Sequence, residues 1–153
     1  FLCKNFIVVH QCGLADEQTA FKYKSDCNYE NYLVYPFIYE QMADVMACSD
    51  VVLSRAGANF LWECAACGKP MVLIPLSTSG SRGDQLENAN FFSAKWAAVV
   101  LSGDKGNNES LITELTRLLD SNIRTKYIEN CKSLCNKTRS AKYIAKLIYE
   151  EVC

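Results

Sequence analysis

The sequence predicts an α/β fold, an open parallel sheet wound with helices on both faces. Short β-branched runs alternate with stretches of helical periodicity, and glycine, proline or small polar residues close most of the runs. With 153 residues, half of them apolar, the chain has enough material for one sizeable core.

Residues 6–10 form a β-branched run that ends in a glycine-containing turn, the pattern of a strand buried on both faces. Residues 15–23 have the composition of a helix, and residues 32–35 read as a second strand, stopped by Pro36. Helical spacing of Met42, Val45 and Met46 places a helix over 40–47, and residues 50–54 give a third strand. Residues 58–67 favour a helix ended by Gly68, where a left-handed cap is easy. The fourth strand spans 71–74 and is closed by Pro75. After small polar residues at 77–83, a helix over 84–94 and a fifth strand over 97–101 complete the alternation. The remainder reads as helical, with Leu111, Ile112, Leu115, Leu118 and Leu119 on one apolar face and Ile144, Ala145, Ile148 and Val152 on another. There is no internal repeat.

Sixteen basic and 17 acidic residues give a formal charge of -1, which excludes a general affinity for nucleic acid. Phosphate recognition must then be local. Nine cysteines are an odd number, the sequence shows no signal-peptide pattern, and several fall on apolar faces, so they are expected to be reduced thiols of the cytosol. Cys64 and Cys67 have metal-ligand spacing, but no second pair follows at finger-like distance, and Trp62, Ala65 and Ala66 read as a buried helix. No metal is expected. No apolar run approaches the roughly 20 residues that span a bilayer. The chain opens on Phe1 and enters a strand-like run almost at once, as a piece of a longer protein would.

Ligands on open parallel sheets sit at the carboxyl ends of the strands, so the residues there are the candidates. Ser54 to Asn59 follow the third strand and run into a helix whose unpaired first N–H groups form an anion site, with Gly57 permitting close approach. A plain turn is the competing explanation, since neither a Walker loop nor a GxGxxG fingerprint is present. Glu63 lies among Leu61, Trp62, Cys64 and Ala65, where a carboxylate needs a basic partner or a pair of ligand hydroxyls such as those of a ribose. Asp84 either caps the next helix or meets a ligand, and Gln85 offers a sugar both donors and an acceptor. His10 and Gln11 end the first strand at the same edge, although a lone histidine is more often structural than catalytic.

Ser54-Arg55-Ala56-Gly57-Ala58-Asn59, Glu63, Gly68-Lys69-Pro70, Leu73-Ile74-Pro75 and Arg82-Gly83-Asp84-Gln85-Leu86-Glu87-Asn88-Ala89 together resemble the carboxyl-terminal domain of the MurG family. His10-Gln11-Cys12-Gly13 and Pro36-Phe37-Ile38 with Met42 fit earlier segments of that family, so the resemblance covers most of residues 1 to 101. Members of the family move N-acetylglucosamine from UDP to lipid I, a muramyl sugar on undecaprenyl diphosphate, and so make lipid II for peptidoglycan. The resemblance implies the carboxyl-terminal, Rossmann-like half of an inverting GT-B glycosyltransferase, without a cofactor or metal. It also implies a nucleotide-sugar domain over 1–135 and a C-terminal helix over 136–153, packed on that domain or towards an amino-terminal one.

By the same resemblance the backbone of Ile38, beside Phe37, meets the uracil edge, and Glu63 takes the ribose hydroxyls. Ala56, Gly57 and Ala58 face the diphosphate, Asp84 and Gln85 read the sugar, Arg55 holds the loops or approaches the phosphates, and Asn88 braces the helix. Ala56 stands where many relatives have serine, and Phe60 replaces a hydroxyl residue, so phosphate contact falls on the backbone. The catalytic base, the lipid I acceptor site and the contact with the cytoplasmic face of the membrane are expected in an amino-terminal domain before Phe1. The chain alone is then inactive. Two alternatives remain: a donor subunit of another GT-B transferase of the Alg13 type, and a non-catalytic nucleotide-binding or interaction module.

Overall fold

The computed structural model describes residues 1–76, 83–135 and 140–152, the side chains of Ser140 and Val152 excepted. In chain order the elements are α1 (Leu2–Asn5), β1 (Val8–Gln11), α2 (Glu17–Cys27), β2 (Tyr32–Tyr35), α3 (Met42–Cys48), β3 (Val52–Ser54), α4 (Ala58–Ala66) and β4 (Met71–Leu73). They continue with α5 (Asp84–Ala94), β5 (Ala98–Val100), α6 (Asn108–Leu119), α7 (Ser121–Leu134) and α8 (Ser140–Val152). Every strand pairing is parallel: β1 with β2, and separately β3, β4 and β5 in that order.

The centre of the fold is β4. Its residues alternate across the sheet, and all of them are fully buried. Met71 and Leu73 point into one apolar cluster with Leu61, Cys64 and Ala65 of α4 and Ala89 and Phe92 of α5. Val72 points the other way, into a second cluster with Leu115 and Leu118 of α6 and Tyr127 of α7. Helices therefore cover both faces, as an all-parallel sheet requires. Each fully buried side chain of this size contributes about 1.5–3 kcal/mol relative to an exposed one.

Helix ends fix the frame. At the end of α4, Gly68 donates to the Ala65 carbonyl at 2.9 Å and Lys69 to the Cys64 carbonyl at 2.8 Å, the paired bonds of a Schellman cap. Gly68 has φ +65°, and a Cβ there would stand 2.7 Å from Lys132 Cε. The sequence expectation of a left-handed cap holds. Below the sheet, the Cys131 thiol of α7 donates to the carbonyls of Lys69 and Ala97, which precede β4 and β5, so α7 lies at the amino ends of the strands. The carboxyl ends are left to the connecting loops.

Three expectations need correction. The first strand is not buried on both faces: β1 pairs only with β2, α2 packs mainly on β2, and Ile7 and Val9 stay exposed. Residues 2–5 form a short helix where none was expected. In α4, Trp62 and Ala66 are exposed while Leu61, Cys64 and Ala65 are buried, because only one stripe of the helix meets the sheet. The expected polar loop lies outside the described residues from 77 to 82. In α8, the described side chains from Ala141 onward, Ile144, Ala145 and Ile148 among them, are exposed. The eight described cysteines are free thiols. Burial pushes the Cys64 and Cys131 thiols up to about 12.

Candidate functional site

The segments after β3 and β4 are tied together by their own backbones. The Ile74 N–H donates to the Ser54 carbonyl at 2.9 Å, and the Arg55 guanidinium donates to the Ile74 carbonyl at 3.1 Å. Arg55 is thus a loop-holding residue in this state. From α5, the Asn88 amide donates to the Ala56 carbonyl at 3.1 Å, and Gln85 Oε1 accepts from the Leu76 N–H at 3.0 Å. Four of the predicted site residues, Arg55, Ala56, Gln85 and Asn88, are brought together by this lattice. The backbone groups of Ile74 and Leu76 complete it, and nothing in their side-chain chemistry announced that role.

Above this lattice stands the start of α4. Gly57 is its N-cap, with φ −74° and ψ 126°, and among the described residues no side chain caps the helix. No described residue takes up the first-turn N–H groups, and the helix dipole adds a positive partial charge. A Cβ on Gly57 would meet no described atom within 4 Å, and its φ is one any residue adopts. Neither conformation nor packing among the described residues calls for glycine here, whereas a ligand laid against the backbone would. Ala58 and Asn59 are exposed, but the Ala56 side chain is fully buried, so only its backbone can serve a ligand.

Glu63 is exposed on α4, and no ion pair or side-chain hydrogen bond reaches it among the described residues. The expectation that it sits in apolar surroundings and needs a partner is corrected: its side chain lies on the outer stripe of α4, where water solvates it. No described partner competes with hydroxyls for it. Asp84 does not cap α5, because the N-cap is Gly83 at φ +90° and Asp84 is the first helical residue, exposed and available.

A second constellation lies at the ends of β1 and β2. Gln11 Oε1 accepts from the N–H of the buried residue Ile38 at 2.9 Å, in a part-buried bond. Phe37 and Tyr39 flank Ile38 with ring centroids 4.4 Å apart, and both are substantially exposed. Tyr39 was not among the residues singled out from sequence, where an aromatic two residues past another in a loop carries no periodic signal. His10 stacks on Tyr32, with Nδ1 2.8 Å from its hydroxyl, which accounts for the histidine structurally. Among the described residues, no hydrogen bond joins this constellation to the one around Arg55. A surface groove of about 520 Å³ beside α5 and α6, lined by Trp96, Lys105, Arg117 and Tyr127, contains none of the predicted residues.

These features define a parallel α/β domain whose strand ends carry an open, uncapped helix start. The sequence pattern described as the glycosyltransferase family 28 C-terminal domain matches residues 2–148, and the chain belongs to that family. It is 51% identical over 110 residues to a Treponema denticola protein named UDP-N-acetylglucosamine--N-acetylmuramyl-(pentapeptide) pyrophosphoryl-undecaprenol N-acetylglucosamine transferase, covering 68% of this chain and 28% of that one. A Geobacillus thermodenitrificans protein of the same name is 39% identical over 125 residues, 82% of this chain and 34% of that one. The crystal structure of Acinetobacter baumannii MurG superposes with a TM-score of 0.76 at 25% identity, covering 93% of this chain and 40% of that one. The chain spans about a third of the length of the curated relatives it matches. Its architecture is that of the carboxyl-terminal half of a GT-B glycosyltransferase.

Proposed function

We propose that this chain is the donor-binding part of an inverting N-acetylglucosaminyltransferase that uses UDP-N-acetylglucosamine and acts on a muramyl sugar carried by undecaprenyl diphosphate, making lipid II for peptidoglycan. The observation that carries the reading is the start of α4, which no described side chain caps and where no described atom stands over Gly57. In the reaction the acceptor hydroxyl attacks the anomeric carbon from the face opposite UDP, the bond from that carbon to the β-phosphate oxygen breaks, and UDP leaves. Negative charge grows on the departing phosphate. Backbone N–H groups of Ala58 and its neighbours, fixed by the helix and by the Arg55 and Asn88 bonds, stabilise that charge without reorganising.

Glu63 is then the acceptor for the two ribose hydroxyls, Asp84 and the amide nitrogen of Gln85 read the sugar, and the Ile38 backbone meets the base. This reading uses no cofactor and no metal, the diphosphate being held by the helix start. The base that takes the acceptor's proton, the lipid-linked acceptor itself and the contact with the cytoplasmic face of the membrane belong to the rest of the protein. Among the described residues no helix is long and apolar enough to cross a membrane.

Calorimetric titration of the chain with UDP, UDP-N-acetylglucosamine and NAD tests the reading. It expects saturable binding of the two uridine nucleotides and none of NAD. Binding of NAD instead, or of nothing, would defeat it.

A further inference from the structure

The hydrogen bond between Gln11 and Ile38 joins an exposed side chain to a part-buried backbone group of a buried residue at the end of the β1–β2 pair. Shielded in part from water, the Ile38 N–H is best satisfied by a standing acceptor. Among the described residues no donor reaches the Ile38 carbonyl, so the residue presents one free acceptor next to one occupied donor. The exposed pair Phe37 and Tyr39 beside it offers flat apolar area to a planar ring. An adjacent N–H and C=O match an imide edge, which carries a carbonyl next to an N–H.

We propose that Gln11 stands in for the base: its side-chain oxygen satisfies the Ile38 N–H while the site is empty and yields that N–H to the O4 carbonyl of uracil when the nucleotide enters. The inference rests on the donor-site reading above and adds to it a residue that sets affinity and base choice. The exchange is balanced, because the Ile38 N–H keeps one acceptor throughout, while the displaced carboxamide, on an exposed residue, is taken up by water. Uracil also gives its N3–H to the Ile38 carbonyl. Cytosine offers an amino group where uracil has O4, so it would displace Gln11 and leave the N–H facing a donor. Discrimination between the bases follows from the exchange.

The test is a titration of the ¹⁵N-labelled chain with uridine and cytidine, whose lack of phosphate removes charge repulsion, following the Ile38 amide in wild type, Gln11→Ala and Gln11→Glu. Gln11→Ala vacates the N–H and is expected to bind uridine about threefold to tenfold more tightly, by removing the competing conformer. Gln11→Glu makes a charge-assisted internal bond and is expected to bind it weaker by about the same factor. Cytidine should leave the Ile38 amide unshifted in wild type. Opposite signs in the two variants are the signature, since a residue that merely supports the loop would weaken binding in both. Equal weakening, or no change, with wild type still binding uridine, overturns the exchange and leaves the donor site standing. Failure of wild type to bind either uridine or UDP overturns both.

Discussion

The β3–β4–β5 sheet and the β1–β2 pair share a parallel architecture and differ in how they are held. The first has a strand buried on both faces, two apolar clusters and four hydrogen bonds binding its connecting segments to one another. The second leaves Ile7, Leu14, Phe21, Tyr23, Phe37 and Tyr39 exposed, and its one buried strand residue is Val34. Stability is therefore concentrated in the unit that carries the proposed phosphate site, and adaptability in the unit that carries the proposed base site. A rigid anion cradle suits a leaving group, whose charge must be met without delay, while a base pocket can rearrange on binding.

The contrast breaks first on stability. Phe92→Ala in α5 removes a ring that packs edge-on against Trp62 at 5.1 Å in the first cluster. It is expected to lose about 3–5 kcal/mol in urea denaturation, whereas Phe21→Ala on the exposed face of α2 should lose less than about 1.5 kcal/mol. Equal losses would mean that the two units are equally packed.

Alkaline pH sharpens the same point. Cys64 and Cys131 are raised from 9.0 to about 12 by burial. Between those values the unfolded chain loses the protons that the folded chain keeps, so stability falls as pH rises above 9.0 and is fully retained below it. The loss should be about 1.4 kcal/mol per thiol at about pH 10. Urea denaturation of wild type and Cys131→Ala across that range checks it, the variant showing roughly half the decline from this pair.

Glu63→Ala is expected to weaken UDP binding by about tenfold to a hundredfold, through loss of a charge-assisted acceptor for two hydroxyls. Its melting temperature should stay at the wild-type value, because no described partner is lost. A lowered melting temperature with unchanged UDP affinity would make Glu63 structural. Asn88→Ala should act less strongly, removing one bond to the Ala56 carbonyl for about 1 kcal/mol of stability and a few-fold of UDP affinity.

Much of this was legible in the residues. Alternating apolar runs gave the parallel sheet and the order of its helices, because short apolar, valine-rich runs such as Val51, Val52 and Leu53 have few other uses between helical stretches. Gly68 announced its cap through position alone. What periodicity cannot reveal is coverage: residues 6–10 look like a strand enclosed on both faces, and only the tertiary arrangement shows that one edge and most side chains of β1 are open. The burial expected around Glu63 failed for the same reason, since a helix apolar on nearly all sides still meets the sheet along one stripe. Long-range bonds such as Gln11 to Ile38 and Asn88 to Ala56 were also hidden, because they join residues 27 and 32 positions apart.

The central claim is that one nucleotide bridges both units, its base at Ile38 and its diphosphate at Gly57 and Ala58. Titrating the ¹⁵N-labelled chain with UDP and following its amide resonances tests this directly. The account predicts that Ile38, Gly57 and Ala58 shift together along one binding curve while Cys131 and its neighbours in α7, at the opposite end of the strands, stay still. Shifts at only one of the two units, or largest in α7, would contradict it.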